Sequence, residues 1–300
     1  MDNLIFILGP TSSGKSAVAA SLAEKIGGEI ISCDSMQVYR DMDVLTQAPG
    51  KKLVSKIPHH LVRMIPPEEE FSAAKFSELA RKAVEDILYR GKVPVFAGGT
   101  GLYVKALVDG LFDAPGKDEE LRAHLEELAV ERGNEHLHDM LAGLDPKAAS
   151  EIHFNNVKRV IRAIEVYETT GKALSEKKQD TKGLNEKYAC RMFALEWPRE
   201  ELYARIQRTV DRMFDSGLVD EVLALLSRNL SITAGKALGI KEVKAYLDGS
   251  ISLEEAKEEL KKNTRRYSKR QLTWFRADKR IKWLGADRPL EEIVEDIINT

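Results

Sequence analysis

The run Gly9-Pro10-Thr11-Ser12-Ser13-Gly14-Lys15-Ser16 narrows what this chain can fold into more than any other feature. It fits G-x-x-x-x-G-K-[ST] without a mismatch. A continuous apolar run over residues 4–8 precedes it, and residues 15–26 follow with apolar positions at helical spacing. A loop of this kind is a nest for an anion. Its glycines let backbone N–H groups converge, the helix start adds partial positive charge, and Lys15 supplies a full one. Ser16 stands where such loops hold Mg²⁺. A Gly/Ser turn that merely joins strand to helix is the bland alternative, and pattern and context together speak against it. The ligand class is therefore a polyphosphate, with ATP, GTP and a diphosphate leaving group all open.

The surrounding pattern extends the strand–helix unit. Residues 29–33 and 93–97 read as further buried strands, with a helix over 74–89 between them. Alternation of this kind implies an α/β fold, a parallel sheet covered on both faces. After Gly110 the character changes: residues 118–170 are charged and helical in period, and a polar stretch, 171–187, leads to one more strand over 190–196. From Pro198 onward the chain reads as nearly all helical. The expected organisation is a P-loop core made of 1–116 and 188–300, interrupted by a helical insertion domain, 117–187. Three hundred residues suffice to bury such a core.

Charge and cysteine usage exclude several classes. A net charge of −2 means that any nucleic-acid binding must come from a local patch. Cys33 and Cys190 lie far apart without C-x-x-C spacing, which argues against a disulfide framework or zinc site and suits a reducing, cytoplasmic setting. The start, Met1-Asp2-Asn3, has no basic n-region, and no apolar run is long enough to span a bilayer. His136-x-His138 has no acid or cysteine cluster beside it, so a metal site there is not expected. His59 and His60 read as pocket wall.

Three further features carry chemistry. Asp34 directly follows the second strand, at the carboxyl end that lines the crevice of a doubly wound sheet. It can be a general base, a Mg²⁺ ligand through water, or an N-cap. Arg205, Arg208 and Arg212 fall at i, i+3 and i+7 on one helix face, which spacing alone reads as a solvated basic surface. Residues 261–283 hold ten Lys/Arg against one acid, Asp278, with Tyr267, Trp274, Phe275 and Trp283 interleaved. That mixture suits single-stranded RNA, and equally a helix with an aromatic core face and a basic solvent face. On these features a small-molecule kinase and a nucleotide-gated RNA-binding protein both remain open. The absence of an apolar strand ending in a second acid weighs against each.

The ordered motifs together resemble the tRNA dimethylallyltransferase family. They are GPTSSGKS and DSMQVYR (34–40), then His59-His60-Leu61, FSAAKF (71–76) and GGTGLY (98–103). Farther on come IHFNNVKRVIRAIEVYETTGK (152–172), LYARI (202–206) and KRQLTWFR (269–276). The resemblance implies that Gly9 to Ser16 grip the diphosphate of dimethylallyl diphosphate, with Mg²⁺ on Ser16. A flipped adenine beside the tRNA anticodon then attacks the allylic carbon through its exocyclic amine. It implies Asp34 as the base on that amine, Thr100 beside it, and Arg205 on the diphosphate, and it lends no support to Arg212. Asp34, Ser35, Met36, Gln37 and Thr100 would meet the target base. Lys158, Arg159, Val160, Ile161 and Arg162 would contact the anticodon stem-loop, as would Arg122 by its distance from Thr100. The implied protein is cytoplasmic, off the membrane and monomeric. Leu45 and Ala48 depart from a common glycine and lysine, and Ile240 from a frequent tyrosine, which questions a loop conformation and one cationic contact. The chain ends without a Cys/His zinc finger, as expected of the bacterial type.

Overall fold

The computed structural model describes residues 3–112, 116, 118–177 and 181–300. Its first half runs β1 (Asn3–Leu8), α1 (Lys15–Ile26), β2 (Gly28–Ser32), the short helices α2 (Asp43–Thr46) and α3 (Lys51–Lys56), β3 (His59–His60), α4 (Ala73–Tyr89), β4 (Val93–Gly98) and α5 (Gly101–Val108). A helical stretch follows: α6 (Glu119–Arg132), α7 (Asn134–Leu144), α8 (Pro146–Glu151), α9 (Val157–Thr170) and α10 (Leu174–Lys177). The chain then returns with β5 (Ala189–Glu196), α11 (Arg199–Asp215), α12 (Leu218–Leu226), α13 (Ile240–Leu247), α14 (Leu253–Arg276), β6 (Lys282–Gly285) and α15 (Leu290–Asn299). Two compact units result: Met1–Val108 with Leu184–Thr300, and Asp109–Gly183. Position 117, where the insertion was expected to begin, lies outside the described residues.

The first unit is built on a six-stranded parallel sheet in the order β3-β2-β4-β1-β5-β6. Alternation along β1 shows why it is covered on both faces. Leu4, Phe6 and Leu8 join one apolar cluster, where Phe6 stacks on Phe96 at 4.4 Å, while Ile5 and Ile7 pack with Val18 and Leu22 of α1 in the other. Strand β1 is central, so the loop that follows it opens at the carboxyl edge between the loops of its neighbours. The sequence reading anticipated four of these strands and missed β3 and β6.

In the second unit α9 supplies the core. Val160, Ile161, Ala163, Ile164 and Val166 are buried against Leu137 and Leu141 of α7. Glu165 is 0% exposed in the same helix and accepts from Arg122 Nε at 2.7 Å, from Arg122 Nη2 at 2.8 Å and from Arg162. The Asp118 N–H adds a fourth donor at 2.9 Å. Burial alone would raise the Glu165 pKa, but Arg122, then Arg162 and the Asp118 N–H hold it at about 2.

Candidate functional site

The P-loop takes the shape its residues were chosen for. Gly14 caps α1 in the left-handed region (φ 91°), and Ser12, at φ 62°, is a non-glycine residue held in the same sparsely populated region. The Ser12 and Ser13 hydroxyl oxygens are buried without a protein partner, an arrangement that an oxyanion would satisfy. Lys15 Nζ folds back onto Pro10 O at 3.3 Å. Burial pulls the Lys15 pKa down and the nearby Asp34 charge opposes that, and a bound polyphosphate would oppose it further.

A cavity of about 890 Å³ opens over this loop, lined by Thr11, Ser12, Gly14, Lys15 and Ser16 together with Asp34, Gln37, Arg205, Arg208 and Arg212. Arg205 is fixed on two sides: its guanidinium lies 4.3 Å over the Trp197 ring, and Nε donates to Ser12 O at 2.9 Å. Trp197 in turn donates from Nε1 to Ser13 O at 2.8 Å. Burial, and then the charge of Arg208 and of Arg212, pushes the Arg205 pKa down despite Glu201 nearby. All three arginines line the cavity with Asp211 and Asp215, and Arg208 also pairs with Glu201 at 3.2 Å, so this face borders the site while keeping part of the solvated ion pairing that spacing predicts. Arg208 and Arg212 are residues for which the family motif gave no role, and Trp197 was missed outright.

A second cavity, about 240 Å³, shares Thr11, Lys15 and Asp34 with the first. Its other walls set the apolar side chains of Met36, Leu45, Val210, Met213 and Leu260 and the Tyr267 ring among polar ones that include Ser35, Lys236, Arg270 and Gln271. Asp34 Oδ1 accepts from the Met36 N–H at 2.9 Å, which pins the turn through Ser35 to Gln37. Thr100 Oγ1 accepts from the Ser35 N–H at 3.1 Å, and Thr100 N–H donates to Cys33 O at 3.2 Å, so the loops after β2 and β4 are tied together beside Asp34. Gln271 reaches in from α14, accepting from the Thr11 N–H and donating to Gly99 O, each at 2.9 Å. The Tyr267 hydroxyl faces Thr100 and Gln271. Its pKa is pushed up to about 12 by burial and then by the Asp34 charge.

The structure thus gathers Gly9 to Ser16, Asp34 to Gln37, Thr100 and Arg205 at one edge of the sheet. Lys158 and Arg159 belong to the other unit, where both are exposed on α9. Two expectations need correction: Val160 and Ile161 are 0% and 3% exposed in that unit's core, so their side chains present nothing to an RNA. Arg122 and Arg162, 25% and 29% exposed, both pair with buried Glu165, which gives them a structural role that the sequence did not suggest. Leu45, where a glycine is common, sits in helix α2, whose Val44 and Leu45 N–H groups are capped by Glu221 at 2.9 and 2.8 Å, so the turn needs no glycine there.

The IPP transferase family model matches residues 37–278. A tRNA dimethylallyltransferase of Geobacter sulfurreducens is 48% identical over 283 residues, 94% of this chain and 91% of the relative. One from Acetivibrio thermocellus is 47% identical, covering 96% and 93%. Among solved structures, a full-length tRNA isopentenylpyrophosphate transferase from Bacillus halodurans aligns with a TM-score of 0.74 at 40% identity, covering all of this chain and 95% of that one. A eukaryotic dimethylallyltransferase solved acting on tRNA aligns with a TM-score of 0.78 at 29% identity, over 95% of this chain and 74% of its own. This chain belongs to the IPP transferase family.

Proposed function

We propose that this chain transfers the dimethylallyl group of dimethylallyl diphosphate to the exocyclic amine of the adenine 3′-adjacent to a tRNA anticodon. One observation carries the reading: Asp34 and Lys15 stand on the shared wall of a cavity that holds the P-loop and Arg205 and of a second that adds the apolar side chains of Met36, Leu45, Val210, Met213 and Leu260. The first cavity fits the diphosphate, and the second fits the allyl group and a flipped base.

An adenine amine is a weak nucleophile because its lone pair is delocalised into the ring, and diphosphate is a charged leaving group. The P-loop N–H groups, Lys15 and Arg205 take up negative charge as the C–O bond breaks. Asp34 takes the proton of the attacking amine, and the Ser35–Thr100 hydrogen bond holds that turn in place. Extruding the base costs a few kcal/mol, roughly, and least in an unpaired loop, which favours the anticodon loop. Lys158 and Arg159 are the α9 cations exposed for RNA phosphates.

The donor set also fits a magnesium ion. No cluster of three His, Cys, Asp or Glu is present among the described residues, so such an ion would lean on substrate phosphate and water, as Mg²⁺ commonly does. The Ser16 hydroxyl, which lines a small space of about 20 Å³ beside Lys15, is the group that would hold it. When bound it would neutralise charge on the departing diphosphate. Among the described residues no helix is long and apolar enough to cross a membrane.

The test is incubation with labelled dimethylallyl diphosphate, Mg²⁺ and unmodified tRNA carrying adenine after the anticodon, with nucleosides read by mass spectrometry. Label on that adenine is expected. Hydrolysis or phosphoryl transfer from ATP, without label on the tRNA, would replace this reading with a kinase.

A further inference from the structure

The reaction needs two placements at once: a diphosphate in the loop after β1, and an amine beside Asp34 and Thr100, on the loops after β2 and β4. The second pair of loops is already tied by Thr100 to Cys33 and Ser35. Gln271 of α14 joins the first loop to that pair. Its Oε1 takes the Thr11 N–H and its Nε2 donates to Gly99 O, one residue before Thr100. The contact is tight, since a Cβ on Gly99 would overlap Nε2. At 6% exposure the amide has little competing water.

We infer that Gln271 is a positioning residue that sets the distance between the leaving group and the base, by clamping the P-loop to the Thr100 loop through one side-chain amide. A neutral amide meets the demand at every pH. The Thr11 N–H can only donate and the Gly99 carbonyl can only accept, so a partner needs an acceptor and a donor on one planar group. Methionine fills the space and makes neither bond. Ionised glutamate keeps the Thr11 bond and sets oxygen against the Gly99 oxygen. Protonated glutamate restores both. Misplacement by about 1 Å costs on the order of 10²-fold in rate even when binding is intact.

This inference rests on the transferase reading, and the test separates the two. Single-turnover transfer to tRNA would be measured at saturating donor for wild type, Gln271→Met and Gln271→Glu, with diphosphate affinity and thermal stability recorded alongside. Gln271→Met is expected to lose about 10²-fold in rate while diphosphate affinity stays within about threefold. Gln271→Glu, relative to wild type at each pH, is expected to recover as pH falls and the buried carboxyl takes up a proton. A Gln271→Met protein that transfers at the wild-type rate, or loses only diphosphate affinity or thermal stability, would overturn the inference, as would a Gln271→Glu ratio flat with pH. If Gln271→Met does not fold, the Gln271→Glu series decides alone. Failure of wild type to label tRNA would instead sink the transferase reading.

Discussion

The molecule holds two groups of arginines that look alike in sequence and differ in what neutralises them. In the P-loop unit, Arg205 stacks on Trp197 and donates to a carbonyl, with Arg208 and Arg212 beside it and an open cavity in front. No carboxylate pairs with Arg205 among the described residues, and its pKa is pushed down. In the helical unit, Arg122 and Arg162 converge on Glu165, and the Arg122 pKa is pushed up, chiefly by that bond. Arg208 keeps an exposed pair with Glu201 at 3.2 Å, so the charge left over the cavity for an anion is chiefly that of Arg205. Positive charge spent on a buried carboxylate is architecture.

That contrast can be broken by substitution. Arg205→Ala is expected to lower kcat/KM for transfer by about 10²- to 10³-fold without lowering the melting temperature, as measured by steady-state assay and thermal melt. Arg205→Lys should recover only part of this, because a point charge neither stacks on Trp197 nor presents a planar fork. Glu165→Ala should do the reverse. It strands two arginines beside an apolar core and should cost about 3 kcal/mol of folding stability, read by denaturant melts, with diphosphate affinity unchanged.

Acid sharpens the same comparison. Because the Glu165 pKa is held at about 2 against an ordinary 4.5, its contribution to stability is full above about pH 4.5 and fades as pH falls toward 2. Wild type should lose stability across that window, and Glu165→Gln should show a shallower slope there. Smaller still, Lys158→Gln and Arg159→Gln should each raise the KM for tRNA a few-fold. Each should also reduce the slope of log affinity against log salt by roughly 0.7 to 0.9, leaving diphosphate binding alone. The smallest effect belongs to Lys15: with its pKa drawn below 10.5, diphosphate affinity should weaken as pH rises through the depressed value, which calorimetry at several alkaline pH values would reveal.

What could be read without coordinates follows from where each signal resides. The P-loop is legible because eight consecutive residues encode its whole geometry. The strands β1, β2, β4 and β5 announce themselves as apolar runs, whereas β3 has two residues and β6 lies within a basic-aromatic stretch, so neither shows a period. Taking residues 158–162 as one RNA contact ignored helical period: Lys158 and Arg159 face out while Val160 and Ile161 face in. The role of Arg205 was legible only through the family motif, because i, i+3, i+7 spacing describes a solvated face equally well. The role of Gln271, which the motif KRQLTWFR contains without explaining, and that of Trp197 were illegible. Each acts on the P-loop from more than 180 residues away in the chain, through contacts that only the folded sheet creates.

The central claim is that Asp34, on the wall between the two cavities, removes the proton from the attacking amine. Single-turnover transfer by wild type and Asp34→Asn, at saturating dimethylallyl diphosphate and tRNA and with binding of both confirmed, tests it most directly. A rate loss of about 10²- to 10⁴-fold with both substrates still bound is the expected result. An Asp34→Asn protein that transfers within a few-fold of wild type would contradict the account and leave Asp34 as a turn residue holding the Met36 N–H.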